Sequence, residues 1–377
     1  MNIKEYKSGN FQKDYKYSFF SPEKINHLWH IDDTALAVLL EKASLKLGEL
    51  NSFARLVPNI NLFIHLHVTK EAVISSRIEG TQTGMNEALF PMEEILPERK
   101  SDWLEVNNYT KALNHTIAEL ENLPLSTPIF KKAHKILMSG VRGENKQPGE
   151  YRYSQNWIGG VSINDAVFVP PAHHLVNELM GDLENFLHND KLEVPSLIKA
   201  AISHYQFETI HPFLDGNGRI GRLLITLFLV DKNLLHKPLL YLSKYFEKNR
   251  TLYYDKLMRV RLNNEMNEWI KYFLKGIEET STDAVENLKK ILSLKENIEN
   301  EIFKKWDRRS GSGSKLLQYL FTQPVIRIKD VQVECGLTAK SAGGLVEKFT
   351  GSGFLKEITG NSRHKIYVFE PYLNLFQ

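Results

Sequence analysis

The chain has 377 residues, 42% hydrophobic and 25% charged, a globular composition with length for roughly two to three domains. Its 48 Lys and Arg against 45 Asp and Glu leave a formal charge of +3, too little to attract nucleic acid or a membrane surface, and its single cysteine, Cys335, excludes an internal disulfide and a Cys-based zinc site. The first residues lack the apolar core of a signal peptide and the longest aliphatic run, 223–230, is far short of the ~20 residues that span a bilayer, so the expectation is a soluble cytoplasmic protein with no membrane contact.

The first helical pattern, 34–54, sets Leu36, Leu39, Leu40, Ala43, Leu47 and Leu50 on one face, with Asp32 or Asp33 as its cap. Similar patterns follow at 69–79, 104–120, 128–138, 173–188, 194–210, 219–232, 251–260 and 266–276. Within these first 275 residues strand signals are confined to 150–171, where NWIGGVSIND and AVFVPP read as a short hairpin. Residues 283–306 are charged and heptad-like, and the run RRSGSGS at 308–314 marks the clearest domain boundary. Beyond it come helical patterns led by Leu316, by Ile328 and from Thr338, then two strand-like runs, GFLKEIT and HKIYVFE, which together read as a winged helix-turn-helix. The expected fold class is mainly α: a helical core with a β-hairpin flap, plus a C-terminal winged-helix domain. The expected domains are an N-terminal helical region (1–125), a catalytic core (126–276), a linker helix with a Gly/Ser linker (277–313) and the winged helix (314–377).

The chemistry is concentrated in His211-Pro-Phe-Leu-Asp-Gly-Asn-Gly-Arg-Ile-Gly-Arg222, between two helices. Pro212 cannot continue the first helix, and Gly216 and Gly218 free the backbone for a turn whose N–H groups converge at the start of the second. That is an anion site. Arg219 and Arg222, three residues apart, share one face of the new helix and complete a polyphosphate clamp. Asp215 is a hard oxygen ligand suited to Mg²⁺ or Mn²⁺ shared with substrate phosphates, and His211 is the nearby group that titrates close to neutrality, a natural general base.

HPFLDGNGRIGR matches every specified position of the Fic-family signature HPFx(D/E)GNGRxxR, and the chain resembles that family over roughly residues 20–275. The resemblance implies a mainly helical protein that transfers AMP from ATP to a Ser, Thr or Tyr hydroxyl of a protein target. It implies that His211 deprotonates the hydroxyl, Asp215 holds the metal, and the amides of 216–218 with Asn217 cradle the phosphates. Arg219 and Arg222 then neutralise the leaving pyrophosphate and the γ-phosphate, and Phe213 anchors the loop. Gly218 stands where a phosphate-transferring branch carries Lys, which favours adenylyl transfer. The stretch 148–171 resembles the family's flap, whose edge at Ile158, Gly159 and Gly160 would pair with an extended target segment, and Tyr254 is placed near adenine.

Upstream, Ser75-Ser-Arg-Ile-Glu79-Gly80 is similar to the family's inhibitory motif (S/T)xxxE(G/N) on a helix of about 69–80. Ser75 and Glu79 are one turn apart on one face, and Gly80 suits the helix stop, so a carboxylate can be aimed at a clamp built for phosphate. The resemblance implies a self-inhibited adenylyltransferase, with self-modification and a homo-oligomer left open. Two alternatives stay open: AMP removal or transfer of another nucleotide-linked group, and a nucleotide-sensing winged-helix regulator that binds DNA. The footprint for DNA is thin, since the recognition helix from Thr338 offers Lys340 and Lys348 beside Glu347.

Overall fold

The computed structural model describes residues 3, 5–14, 16–306, 310–361 and 363–376. The chain opens with an antiparallel hairpin, β1 (Gly9–Lys13) and β2 (Ser18–Pro22), and then turns helical. The helices are α1 (Thr34–Leu56), α2 (Asn61–Ile78), α3 (Met85–Ala88), α4 (Lys100–Glu119), α5 (Thr127–Leu137), α6 (Val176–His188), α7 (Ser196–Ile210) and α8 (Asn217–Asp231). They continue with α9 (Ser243–Lys248), α10 (Arg250–Asn263) and α11 (Met266–Lys305). Among the described residues no helix is long and apolar enough to cross a membrane.

Asp33 is the residue that caps α1: its carboxylate accepts from the Leu36 amide at 2.9 Å, and its other oxygen takes Asn267 at 2.8 Å and Lys271 at 3.0 Å. One side chain therefore starts α1 and ties it to α11, the helix packed along it. At the centre, α7 and α8 are buried on almost every side, with Ile198, Ile202, Phe207, Leu223, Leu224 and Leu227 wholly enclosed. This rigid pair carries the loop 211–216 at its junction.

Four expectations need correction. No strand is expected near the N-terminus, yet β1 and β2 pair there, and the Phe20 amide donates to Val169 O at 2.9 Å, bracing the base of the flap. The flap itself carries only an isolated bridge, Ile158 to Phe168, with a 3₁₀ turn at Ile163–Asp165 in place of two regular strands. The helical patterns at 266–276 and 283–306 are one 40-residue helix, α11. Most of the Gly/Ser run is not a linker: α12 (Ser310–Thr322) begins inside it, and a Cβ at Gly313 would come within 3.0 Å of Ile302 and Trp306. Glycine there lets α12 approach α11 closely; Arg308 and Arg309 lie outside the described residues.

The remaining elements are β3 (Val325–Arg327), α13 (Ile328–Cys335), α14 (Ala339–Gly351), β4 (Lys356–Glu357), β5 (Ile366–Val368) and α15 (Glu370–Leu373). The three strands form an antiparallel sheet in the order β3-β5-β4. Phe321 of α12 packs edge-on against Phe369 and Tyr372 at 5.3 and 4.8 Å and against Phe63 of α2 at 5.2 Å. The C-terminal unit thus rests on the helix that ends at Glu79.

Candidate active site

His211 caps the C-terminus of α7 in the left-handed conformation, φ 51°, its amide still donating to Phe207 O at 2.9 Å. Pro212 then removes the next donor and the chain leaves the helix. The turn is held from outside by two flap residues. Arg152 Nε donates to His211 O at 3.0 Å and its backbone amide to Pro212 O at 2.9 Å, while Asn156 Nδ2 donates to Phe213 O at 2.9 Å. Phe213 is fully buried and stacked on His134, with ring centroids 3.8 Å apart and planes 7° from parallel. The His134 Nδ1 accepts from the Gly149 amide at 2.8 Å, so Nε2 is the protonated nitrogen and donates to Asp215 O at 3.0 Å.

Asn217 closes the loop on itself. Its Oδ1 accepts from Phe213 N and its Nδ2 donates to Phe213 O, both at 2.8 Å. This corrects the expected role of its side chain: both polar ends are committed to loop backbone, and only its amide can belong to a phosphate cradle. Gly216 has φ 73°, a conformation that favours glycine, and a Cβ there would lie 2.9 Å from Met138 Sδ, which would have to shift. The first helical bond of α8 runs from Ile220 N to Gly216 O; the Gly216 amide donates to Asp215 Oδ1 at 2.6 Å, which leaves the amides of Asn217, Gly218 and Arg219 as the open donors of the helix N-terminus.

These amides face a cavity of about 820 Å³ that also exposes His211, Asp215, Arg219 and Arg222. Its other end is walled by Trp157, Phe168, Tyr254, Leu257 and Met258, a surface for a flat apolar ring. Tyr254 is 39% exposed with Arg250 beside its ring, whereas its neighbour Tyr253 is buried and bonded to His204 at 2.9 Å. The edge expected at 158–160 is not an edge. The Ile158 amide and carbonyl are already spent on Phe168 and Val167, and Gly159 and Gly160, at φ 69° and 74°, make a tight turn. The flap instead presents side chains, with Tyr153, Trp157, Val161 and Val167 exposed.

Both arginines are engaged by carboxylates from outside the loop. Arg219 Nη1 donates to Glu105 Oε2 at 2.8 Å, and both side chains are almost wholly buried. Arg222 donates from Nη2 to Glu79 Oε1 at 2.7 Å and to Ser75 O at 2.8 Å, and from Nε to Ser75 Oγ at 2.8 Å. Glu79 is the C-cap of α2, and Gly80 at φ 105° turns the chain away. Gly218 lies beneath it: an added Cβ would stand 2.2 Å from Glu79 Oε1, so the carboxylate reaches Arg222 over a bare backbone.

The charges set the titration. Burial pushes the Glu79 carboxyl up, but Arg222 outweighs it and holds the group below the usual carboxylate range. Burial, then the charges of Arg152 and Arg261, push His211 down to about 3, which keeps its imidazole neutral. Its Nδ1 is enclosed by protein, with the Glu208 backbone as polar neighbour of the ring, leaving Nε2 as the nitrogen that can take a proton from the cavity. Glu208, one turn before His211, is pushed up to about 7, chiefly by burial, with Arg222 opposing. Glu105, His134 and Glu208 carry no local signal in the sequence, whereas Arg152 and Asn156 lie inside the flap segment 148–171 without standing out within it.

Comparison with known proteins fits this geometry. Residues 37–118 match the Fic/DOC family N-terminal model and residues 124–229 the Fic/DOC family model. A probable protein adenylyltransferase of Aquifex aeolicus is 32% identical over 216 residues, 55% of this chain and 64% of that protein. The protein adenylyltransferase Fic of Aedes aegypti is 31% identical over 133 residues, 35% of this chain and 24% of that protein, so the chain spans less than two thirds of either relative. Among solved structures, a Fic family protein from Desulfovibrio desulfuricans superposes with a TM-score of 0.58 at 19% identity, covering 90% of this chain and 97% of that one. Fic-1 of Caenorhabditis elegans gives 0.51 at 19% identity, covering 67% and 73%, and the two share the fold with this chain. From the signature loop, its helical frame and the two consecutive matches, the chain belongs to the Fic/DOC family.

Proposed function

We propose that the protein transfers AMP from ATP to a Ser, Thr or Tyr hydroxyl of a protein, and that Glu79 restrains this reaction. The observation that carries the reading is the convergence on one cavity of a neutral His211, a helix N-terminus and two arginines, with Arg222 held by Glu79 at 2.7 Å. The target hydroxyl loses its proton to His211 Nε2 as its oxygen attacks the α-phosphorus; the bond from that phosphorus to the bridging oxygen breaks, and pyrophosphate leaves against Arg219 and Arg222. In this reading the amides of Asn217 and Gly218 at the start of α8 cradle the phosphate oxygens, the Gly216 amide being held by Asp215 Oδ1, and Tyr254 is the aromatic for adenine.

Among the described residues no three His, Cys, Asp or Glu side chains converge to hold a metal, so a divalent cation would depend on Asp215 together with substrate oxygens and water. Asp215 fits, being 42% exposed beside the cradle. Mg²⁺ or Mn²⁺ bound there supplies charge neutralisation on the phosphates. The restraint is competition: a guanidinium that already holds a carboxylate and a serine is not free for a γ-phosphate.

The C-terminal order of helix, strand, two helices and two strands supports the winged-helix reading. On α14, Lys348 lies over Trp306 at 4.7 Å and is thereby drawn away from a phosphate backbone, which favours a docking module over a DNA reader. The test of the whole reading is incubation with Mg²⁺ and α-labelled ATP followed by intact mass. A gain matching AMP, lost in His211→Ala while ATP still binds, supports it; a gain matching phosphate, or label retained at the wild-type rate in His211→Ala, overturns it.

A further inference from the structure

A second cavity, of about 590 Å³, opens along α2 and is closed by α9, the segment after Gly80 and Phe376. Its lining carries four cations, Lys70, Arg77, Arg99 and Lys244, against two carboxylates, Glu87 and Glu247. Three of the cations have acidic partners: Arg99 pairs with Glu87 at 2.6 Å, Arg77 with Glu247 at 3.8 Å, and Lys244 with Asp283 at 2.6 Å. Lys70 has none within ion-pair reach among the described residues, although it is only 9% exposed. Its ammonium sits 5.3 Å from the centre of the Tyr241 ring and 5.8 Å from that of Phe376, and Lys244 faces the same Tyr241 ring at 5.9 Å.

Two ammoniums are therefore drawn to one aromatic ring, with the single carboxylate of Asp283 bonded to Lys244. Burial, and next the neighbouring Lys244, push Lys70 down to about 8. A buried cation without a counter-ion is unfavourable unless something supplies the charge, and the open space beside it is large enough for a metabolite-sized ligand. The same cavity offers Ile74, Met85 and Phe376 as an apolar wall.

We propose that this cavity binds a small phosphorylated organic anion, with phosphate oxygens between Lys70, Lys244 and Arg77 and the organic part against Ile74, Met85 and Phe376. The site is separate from the clamp at Arg219 and Arg222 and does not depend on the reaction carried out there. Phosphate suits it because a compact multiply charged group can meet several cations at once.

The test uses inorganic pyrophosphate on the full chain, followed by calorimetry and by hydrogen exchange read in peptides. The expected result is protection of peptides covering 70–77 and 243–248 that survives Arg222→Ala, in which the clamp is broken. Lys70→Met should weaken that binding by about tenfold and Arg77→Ala by about threefold. Lys70→Met removes a buried charge, so its melting temperature should not fall; Arg77, 47% exposed, can be changed without risk to folding. Protection confined to 211–222, no binding in Arg222→Ala, or wild-type affinity in both Lys70→Met and Arg77→Ala overturns the proposal.

Discussion

Two arginines one turn apart on α8 each hold a carboxylate, and the difference between the carboxylates is instructive. Glu105 is in the middle of α4, its side chain 7% exposed, and it is shared between Arg219 at 2.8 Å and Arg142 at 3.5 Å. Glu79 is the last residue of a helix, its side chain 34% exposed, and a glycine follows it. The first pair is built into the helical frame. The second depends on the end of a helix, where rearrangement disturbs few other contacts. Under the proposed restraint, similar chemistry serves as a structural lock at one position and as a releasable stop at the next.

The largest test of this contrast is Glu105→Ala, which leaves Arg219 buried without its partner and should lower stability by about 3–5 kcal/mol. Glu79→Ala should cost less by the same chemical denaturation, because the buried Arg222 keeps its bonds to Ser75 Oγ and Ser75 O and the carboxylate removed is partly exposed. Equal losses would erase the distinction. Glu208→Gln comes next. A carboxyl raised to about 7 favours the protonated folded state, so its contribution is full below the ordinary carboxylate value and lost as pH rises through 7. The variant should therefore remove on the order of 3 kcal/mol of stability loss between pH 4.5 and 8.

A smaller effect sharpens the Glu79 side of the comparison. In Gly218→Ala the new methyl displaces Glu79, so adding Glu79→Gly should give less than about threefold further acceleration, and the two changes should be non-additive in transfer rate. The smallest is a matter of pH. The acid limb of kcat/KM should fall below the ordinary histidine value of about 6.5, because His211 is held low by burial and by Arg152 and Arg261. Measuring it in Glu208→Gln removes a second titrating group from the same cavity, and a limb at or above 6.5 would count against His211 as base.

The loop 211–222 was legible because Pro, Gly and Arg at fixed spacing state a turn followed by a helix start with two arginines on one face. Glu79 was legible for a similar local reason, one turn after Ser75. Their supports were not. Glu105, His134 and Arg152 act across 114, 81 and 59 residues of chain, and in sequence each resembles an ordinary polar position on a helix or loop. The start of α2 was missed because a helix buried on nearly every side, with His67, Thr69, Lys70 and Glu71 enclosed, has no polar face to reveal its period. The Gly/Ser run at 310–314 shows the reverse failure, in which packing against Ile302 and Trp306 overrides the poor helix propensity of glycine.

The central claim is that Arg222 is held back by Glu79 and can be released. Its most direct measurement is the initial rate of AMP transfer from α-labelled ATP in Glu79→Gly, beside wild type and Glu105→Ala, each corrected for folded protein. A restrained form favoured by about 1.4–2.7 kcal/mol predicts acceleration of about 10- to 100-fold in Glu79→Gly and none in Glu105→Ala. A wild-type rate in Glu79→Gly, or the same acceleration in both variants, would contradict it.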